Sequence, residues 1–480
     1  MFGLFGNINK LRNIHSDSEK KKIAKLLQTT PEALEEFEKA YHLGVLEETV
    51  SDNLFEVNAK QAAGMNDHIT VDDSEVESLI DRIVTELLSE TTFFKYEDGT
   101  VSYGDFGIPF PEHPVTKEEI LSLPESLRPQ LSGTLLKKEL NGDSYPGILS
   151  IYKEYLKEKN PQKKKMTYDI FRHGLEIQDL DPITYQIIAK NKNSIGNWFP
   201  ELTQAVKKQD FFKIPDTTII RVPLPLLQLT KLDYMELTKT SLEIADRFCE
   251  KAFSLDRQKE YFIKTGVFSS KFDFRNAQIQ GAEEVRTIGE YLLFIHFQAS
   301  SMAHFDLNGR NQPVIYGPGT TVEWVCREFI QDKEQNPCIY KGLPLHTEYR
   351  VFIDADKNDV IGIAPYWDPD TMKKRFGHES DKDSPHQIHD YIIYMAHEKV
   401  LMNRFNENKD SVVLHIKDML PDLNLTGQWS LDVMQNGNDF YIIDMALAAE
   451  SALKNYVPKG RLHPVKEDWI PELMKRDCYK

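Results

Sequence analysis

The apolar positions change period along the chain. Near the N-terminus the spacing is helical. Leu34, Phe37 and Tyr41 recur at helical intervals with Glu35, Glu36 and Lys39 outside them. Thr30, Pro31 and Glu32 supply a cap, a first-turn proline and a negative charge at the positive helix end. Ser74 opens a second helix on the stripe Val76, Leu79, Ile80, Ile83, Val84, Leu87 and Leu88. Residues 1 to about 95 therefore read as a helical region with a loop around Gly64-Met-Asn-Asp-His68. It carries no cluster of catalytic residue types and suits a scaffold or a contact with a protein partner. Over 96–147, Pro109, Pro111, Pro114, Pro124, Pro129 and Pro146 break any long element. Tyr152, Tyr155 and Leu156 suggest a helix that runs into the basic segment Lys157–Lys165. No aromatic residue interleaves those lysines, so the segment reads as a solvated linker.

From about residue 211 strands and helices alternate. Strands are expected at Thr218–Val222, Glu260–Lys264 and Val322–Ile330. Helices are expected at Tyr234–Phe253, Ala282–His296 and His386–Phe405. Thr347–Ile353 and Val360–Trp367 predict a hairpin about the acidic turn Asp354–Asp359. Trp429–Met434 and Phe440–Asp444 predict another about Asn436-Gly437. The expected class is α+β: a helical region over 1–95, a Pro-rich mixed connection over 96–210, a C-terminal domain over 211–460 and a tail over 461–480.

Composition narrows the function. The chain has 480 residues with a net charge of −17, 40% hydrophobic and 11% aromatic residues, enough for two or three packed domains and against general disorder. An acidic surface repels phosphate backbones, which disfavours nucleic acid as a partner. Cys249, Cys326, Cys338 and Cys478 form no Cys-x-x-Cys pair and are too sparse for a disulfide scaffold, so reduced thiols and a cytoplasmic location are expected. No run of about 18 apolar residues would span a membrane, and Met1-Phe-Gly-Leu-Phe-Gly-Asn7 is too short for a signal peptide.

Several signatures are missing: the phosphate loop Gly-x-x-x-x-Gly-Lys-Ser/Thr, the dinucleotide fingerprint Gly-x-Gly-x-x-Gly and the nucleophile elbow Gly-x-Ser-x-Gly. Lys95-Tyr-Glu-Asp-Gly99 resembles a nucleic-acid ligase lysine motif, but its lysine is one residue out of place. The His386-x-x-His389 pair, with Asp381 and Asp383 upstream, lacks a third ligand at fixed spacing and reads as a solvated helix start. Lys373-Lys-Arg375 suits either a loop over a bound anion or a solvated turn.

Three segments carry more. Lys264 closes an apolar strand, where an unpaired ammonium is rare, and is followed by Gly266, Ser269, Ser270 and Lys271. Small residues admit backbone amides to an anion and the lysines add charge, which suits a polyphosphate. The alternative is an exposed strand end with a loop. In Glu348-Tyr-Arg350, strand alternation puts Glu348 and Arg350 on one face, as a fork for a phosphate or as a surface ion pair. Asp432 and Asp444 sit among apolar residues on the two strands about Asn436-Gly437. Close carboxylates call for a cation between them, and hard oxygen ligands that share a sphere with phosphates suit Mg²⁺; otherwise they are strand ends facing solvent.

The order of these segments resembles the ATP-grasp superfamily, with its divergent branch of eukaryotic initiation-factor assembly chaperones and related phage and bacterial proteins the most similar. The likeness runs over about 210 to 455: the lysine strand, the small-residue loop, the strand Arg327-Glu-Phe-Ile330, Glu348-Tyr-Arg-Val-Phe-Ile353, Val360-Ile-Gly-Ile363, Leu431-Asp432-Val433 and Ile443-Asp444-Met-Ala446. The resemblance implies two α+β subdomains that sandwich ATP. Lys264 would hold α- or β-phosphate oxygens; Ser269, Ser270 and Lys271 would lie in the covering loop. Glu328, Phe329 and Ile330 would form the hinge whose backbone reads adenine, with Asp332 toward the ribose. Arg350 would steady the γ-phosphate or an acyl phosphate, and Asp432 and Asp444 would ligate Mg²⁺. Ala446 stands where the family has a metal-ligating Asn, a gap that Glu450 or Ser451 would have to fill. The implied activity is an ATP- and Mg²⁺-dependent ligase acting on a small-molecule or peptide carboxylate; the alternative is an ATP-binding assembly or regulatory protein without turnover.

Overall fold

The computed structural model describes residues 74–131, 157–164, 180, 185, 188–232, 234–305, 321–375 and 388–463. The expected helix around Leu34–Tyr41, the loop at Gly64–His68, Tyr152–Leu156, Lys165, Asp381, Asp383, His386 and all of the tail beyond residue 463 lie outside them.

The class is α+β, with two facing sheets. The first has six strands, ordered β2-β1-β4-β7-β5-β6. They are β1 (Thr92–Glu97), β2 (Thr100–Asp105), β4 (Thr217–Arg221), β5 (Tyr261–Thr265), β6 (Gln278–Ile279) and β7 (Glu323–Glu328). The second has five, ordered β11-β10-β12-β13-β3: β3 (Phe212–Lys213), β10 (Thr347–Asp354), β11 (Asp359–Pro365), β12 (Gln428–Asn436) and β13 (Asp439–Leu447). A two-residue ribbon, β8 (Cys338–Ile339) with β9 (Leu343–Pro344), connects them. The helices used below are α1 (Ser74–Ser89), α2 (Phe199–Val206), α3 (Lys239–Phe253), α4 (Ile288–Phe305) and α5 (Ile388–Met419).

The stripe read from Val76 to Leu88 is buried, as its helical spacing requires. It packs in one core with α3 and α4 on the outer face of the first sheet. A second core lies on the other face of the second sheet, where Tyr349, Val351, Leu431 and Val433 pack with Phe405, Val412 and Ile416 of α5; the same cluster takes in Phe199 of α2 and Ile219 and Val325 of the first sheet. The hairpin β1–β2 departs from the expected helical region: a boundary at residue 95 cuts its first strand, and β1 pairs directly with β4. The turn residues are Asp98 and Gly99, both at positive φ (50° and 73°), the geometry an Asp-Gly two-residue turn favours. Tyr234–Glu236 is a separate 3₁₀ turn, and α3 starts only after Thr238, whose hydroxyl accepts the Ser241 N–H. The helix expected to end at Phe405 continues to Met419. Lys373–Arg375 belong to a short helix, Pro369–Arg375.

Candidate functional site: a charged cleft between the two sheets

Strand alternation fixes what faces the gap. Phe262 pairs with Arg327 and Lys264 with Val325, so Phe262, Lys264 and Arg327 share the inner face of the first sheet. Across from them, Arg350 pairs with Asp432 and Asp432 pairs with Asp444, which brings the three onto one face of the second sheet. Ile443 is the extra residue of a bulge in β13, and the bulge turns both Ile443 and Asp444 toward the gap. All of these but Arg350 line a cleft of about 960 Å³, its open mouth included. One end is apolar: Phe262, Phe274, Phe329, Ile330, Leu343 and Met434. The other carries Lys264, Lys271, Arg327, Glu348, Asp432 and Asp444, with Tyr366 and Trp367; Arg350 is outside the lining and touches it through Asp432 and Tyr366.

The charges are already matched. Lys264, 2% exposed, reaches across the gap to Asp444 Oδ2 at 3.0 Å. Burial lowers the Lys264 pKa, with Arg327 adding to the effect and Asp444 opposing it. Arg350 forks Asp432, Nε to Oδ1 at 2.8 Å and Nη2 to Oδ2 at 2.7 Å. Burial opposes the charge on Arg350, but the Asp432 carboxylate outweighs it and holds the pKa above its ordinary value. The Tyr366 ring is flanked by two cations, Lys271 Nζ at 4.4 Å and Arg350 Cζ at 4.7 Å from its centroid. Burial pushes the Glu348 carboxyl up to about 8, with Lys271 pulling it down and Asp432 pushing it further. Arg327 donates through Nη1 to the Ile443 carbonyl, while its buried Nε has no partner. Burial brings its pKa down to about 10.

The structure brings together Lys264, Ser269, Lys271, Glu328, Phe329, Ile330, Asp432 and Asp444 in the cleft lining. Three expected residues stay out of the cleft lining. Arg350 reaches it only through its fork on Asp432. Ser270 sits in a left-handed conformation and donates its buried hydroxyl to Gln298 of α4 at 2.9 Å. The Asp332 carboxylate caps its own turn, accepting the N–H groups of Glu334 (2.9 Å) and Asn336 (2.6 Å). In the hinge, the Glu328 and Phe329 N–H groups donate to the Asp216 and Glu260 carbonyls. A hinge N–H for a purine therefore has to come from Ile330. Ser451, considered as cover for Ala446, shares its hydroxyl with Ser430 at 2.6 Å and with the Leu447 carbonyl at 3.0 Å. Neither it nor Glu450 lines the cleft.

Sequence reasoning missed Arg327, Tyr366 and the segment Asn191–Trp198. The Arg327 signal was present: a cation that follows the apolar run Trp324-Val-Cys326, as Lys264 follows Tyr261-Phe-Ile263. The segment had none, because its role is long-range. Ile195 donates to the Gly266 carbonyl at 3.0 Å, and Asn193 Oδ1 accepts the Leu447 N–H at 2.6 Å, tying the lysine loop to the second sheet. Ser194 also donates to Glu323, whose carboxylate accepts the Gly196 N–H. A Cβ on Gly266 would come within 2.2 Å of the Ser194 and Thr321 hydroxyls, so only glycine fits there.

Among the described residues no group of three or more His, Cys, Asp or Glu side chains could hold a metal ion. Asp432 and Asp444 form a two-carboxylate set, which fits a hard cation that completes its sphere with phosphate and water. No described helix is long and apolar enough to cross a membrane.

No family model matches the chain, and no curated protein does. Among solved structures, C-terminally truncated Cdc123 from Schizosaccharomyces pombe aligns over 58% of this chain and 96% of its own, at 13% identity and a TM-score of 0.32. The Cdc123 structure from the same organism aligns over 58% and 94%, at 13% identity and a TM-score of 0.31. Likeness at that level assigns neither an activity nor a ligand to this chain.

Proposed function

We propose that the cleft binds ATP together with Mg²⁺ in the ATP-grasp manner and uses the γ-phosphoryl group to activate a carboxylate. The observation that carries this reading is the meeting of Lys264 from one sheet with Asp444 from the other, inside a cleft with an apolar end and a highly charged end. The apolar end suits a purine, with the Ile330 backbone as its edge contact. Lys264, Lys271 and Arg350 suit the phosphates, and Asp432 and Asp444 suit the metal. A substrate carboxylate oxygen attacks the γ-phosphorus, the bond to the β-phosphate oxygen breaks, and an acyl phosphate and ADP result. An amine or thiol then displaces phosphate. No side chain has to act as a covalent nucleophile; positioning and charge neutralisation dominate.

A second reading is an ATP-binding assembly or regulatory protein without turnover, with a protein partner on the N-terminal helices. Ala446 favours it, because Ser451 is engaged elsewhere and does not fill the gap. Steady-state ADP release by the full chain, with and without pooled amino acids and peptides, separates the two. Release stimulated by a carboxylate and an amine is expected for the ligase; nucleotide binding with no release supports the second reading. Lys264→Ala and Asp444→Ala are expected to abolish turnover without unfolding the chain, and normal turnover in either removes the assignment.

A further inference from the structure

The acidic pair is not open to a free cation. All four carboxylate oxygens already accept a donor from the chain. Asp432 takes the two prongs of Arg350 at 2.8 and 2.7 Å. Asp444 takes Lys264 at 3.0 Å on Oδ2 and the Met445 N–H at 3.0 Å on Oδ1. Arginine does not give up its proton in proteins, so the Arg350 charge stays in the site. Lys264 is 2% exposed and has no solvent to turn to. A divalent cation arriving alone meets two fixed positive charges at contact distance from its ligands, in a setting where water screens poorly.

A polyphosphate reverses that balance. Its oxygens offer new partners to Lys264, which lines the cleft, and to Arg350, which borders it on Asp432 and Tyr366; that leaves Asp444 and Asp432 uncompensated beside an anion. That arrangement is unfavourable until a divalent cation occupies it. Building on the nucleotide-cleft reading above, we propose that a divalent cation enters this site only together with a polyphosphate, which draws Lys264 and Arg350 off the two carboxylates that the cation then takes. The coupling is reciprocal by linkage: the cation must tighten the polyphosphate by the same factor as the polyphosphate tightens the cation.

Equilibrium dialysis of the full chain tests this, with Mn²⁺ read by its paramagnetic resonance and β,γ-methylene-ATP as the nucleotide. The wild type is expected to retain no Mn²⁺ alone and one per nucleotide when the analogue is present. Arg350→Met and Lys264→Met each unmask a carboxylate and are expected to hold Mn²⁺ without nucleotide at least tenfold more tightly than the wild type. Arg350→Met leaves buried Asp432 uncompensated and risks the fold; Lys264→Met leaves only half-buried Asp444 and keeps the test readable. Mn²⁺ binding to the wild type alone, as tight as with the analogue, overturns the proposal, as does a Lys264→Met variant that gains no metal. Analogue binding that is unaffected by EDTA overturns joint entry while leaving the nucleotide cleft in place. No binding of the analogue under any condition removes the nucleotide reading, and this inference with it.

Discussion

At the scale of single residues, Lys264 is where burial and pairing conflict most openly. Desolvation disfavours its charge and Asp444 only partly offsets that; Asp444 is also 40% exposed, which weakens the pair. A buried ammonium held by a partly solvated carboxylate contributes little to folding, so its place in the cleft has to be explained by what binds there. Lys264→Met keeps the stem and removes the charge. Its melting temperature is expected to equal or exceed that of the wild type, while affinity for ATP analogues falls by tenfold or more, about 1.4 kcal/mol or above. Scanning calorimetry and a nucleotide titration on the same sample check both halves. A large loss of stability would mean that the lysine is structural. Much of this was legible in the sequence, because a lysine on an apolar strand is conspicuous. The contrast with Ser270 and Asp332 shows where such reading stops. Both sit in plausible segments, but the left-handed backbone at Ser270 swings its hydroxyl to Gln298, and local N–H groups claim Asp332.

At the scale of elements, period-based reading recovered most strands and helices that pack in the core, since burial imposes the period. It lost the hairpin β1–β2, half-exposed along most of its length, where alternation carries less signal. The Asp98-Gly99 dipeptide was the available clue. The start of α4 poses a sharper test. Gly289 lets α4 approach α3 so closely that an added Cβ would lie 2.2 Å from the Ala245 carbonyl oxygen and 2.6 Å from the Asp246 nitrogen. Backbone atoms cannot swing aside as a side chain can, so the helices must separate. Gly289→Ala gains helix propensity but is expected to lose about 1–3 kcal/mol of stability from overpacking. Urea unfolding followed by circular dichroism reads the sign. A stabilised variant would show that α3 and α4 can part at no cost.

At the scale of the whole molecule, an acidic chain also hides acids in its core. Asp246 of α3 accepts the Glu290 N–H at the start of α4 at 2.8 Å, and Tyr234 donates to the Glu290 carboxylate. Arg286 and Glu243 lie close enough to bias the pair. Burial pushes Glu290 up to about 7, and burial with Glu290 beside it pushes Asp246 well above its usual range. The folded state therefore keeps protons that the unfolded chain has released. A carboxyl raised in this way contributes its full stability below the unfolded value near 4.3 and loses it as pH climbs to the folded value. Stability is expected to decline between about pH 4.5 and 7, by up to about 1.4 kcal/mol per pH unit for one group. Net charge alone also grows more negative with pH through the 14 histidines, and self-repulsion would push the same way. Glu290→Gln separates the causes. It leaves the histidines in place, still accepts from Tyr234, and cannot ionise. Its melting temperature should vary less between pH 5 and 8 than that of the wild type, with the gain largest at pH 8. If the two curves stay parallel, Glu290 is not the source of the decline.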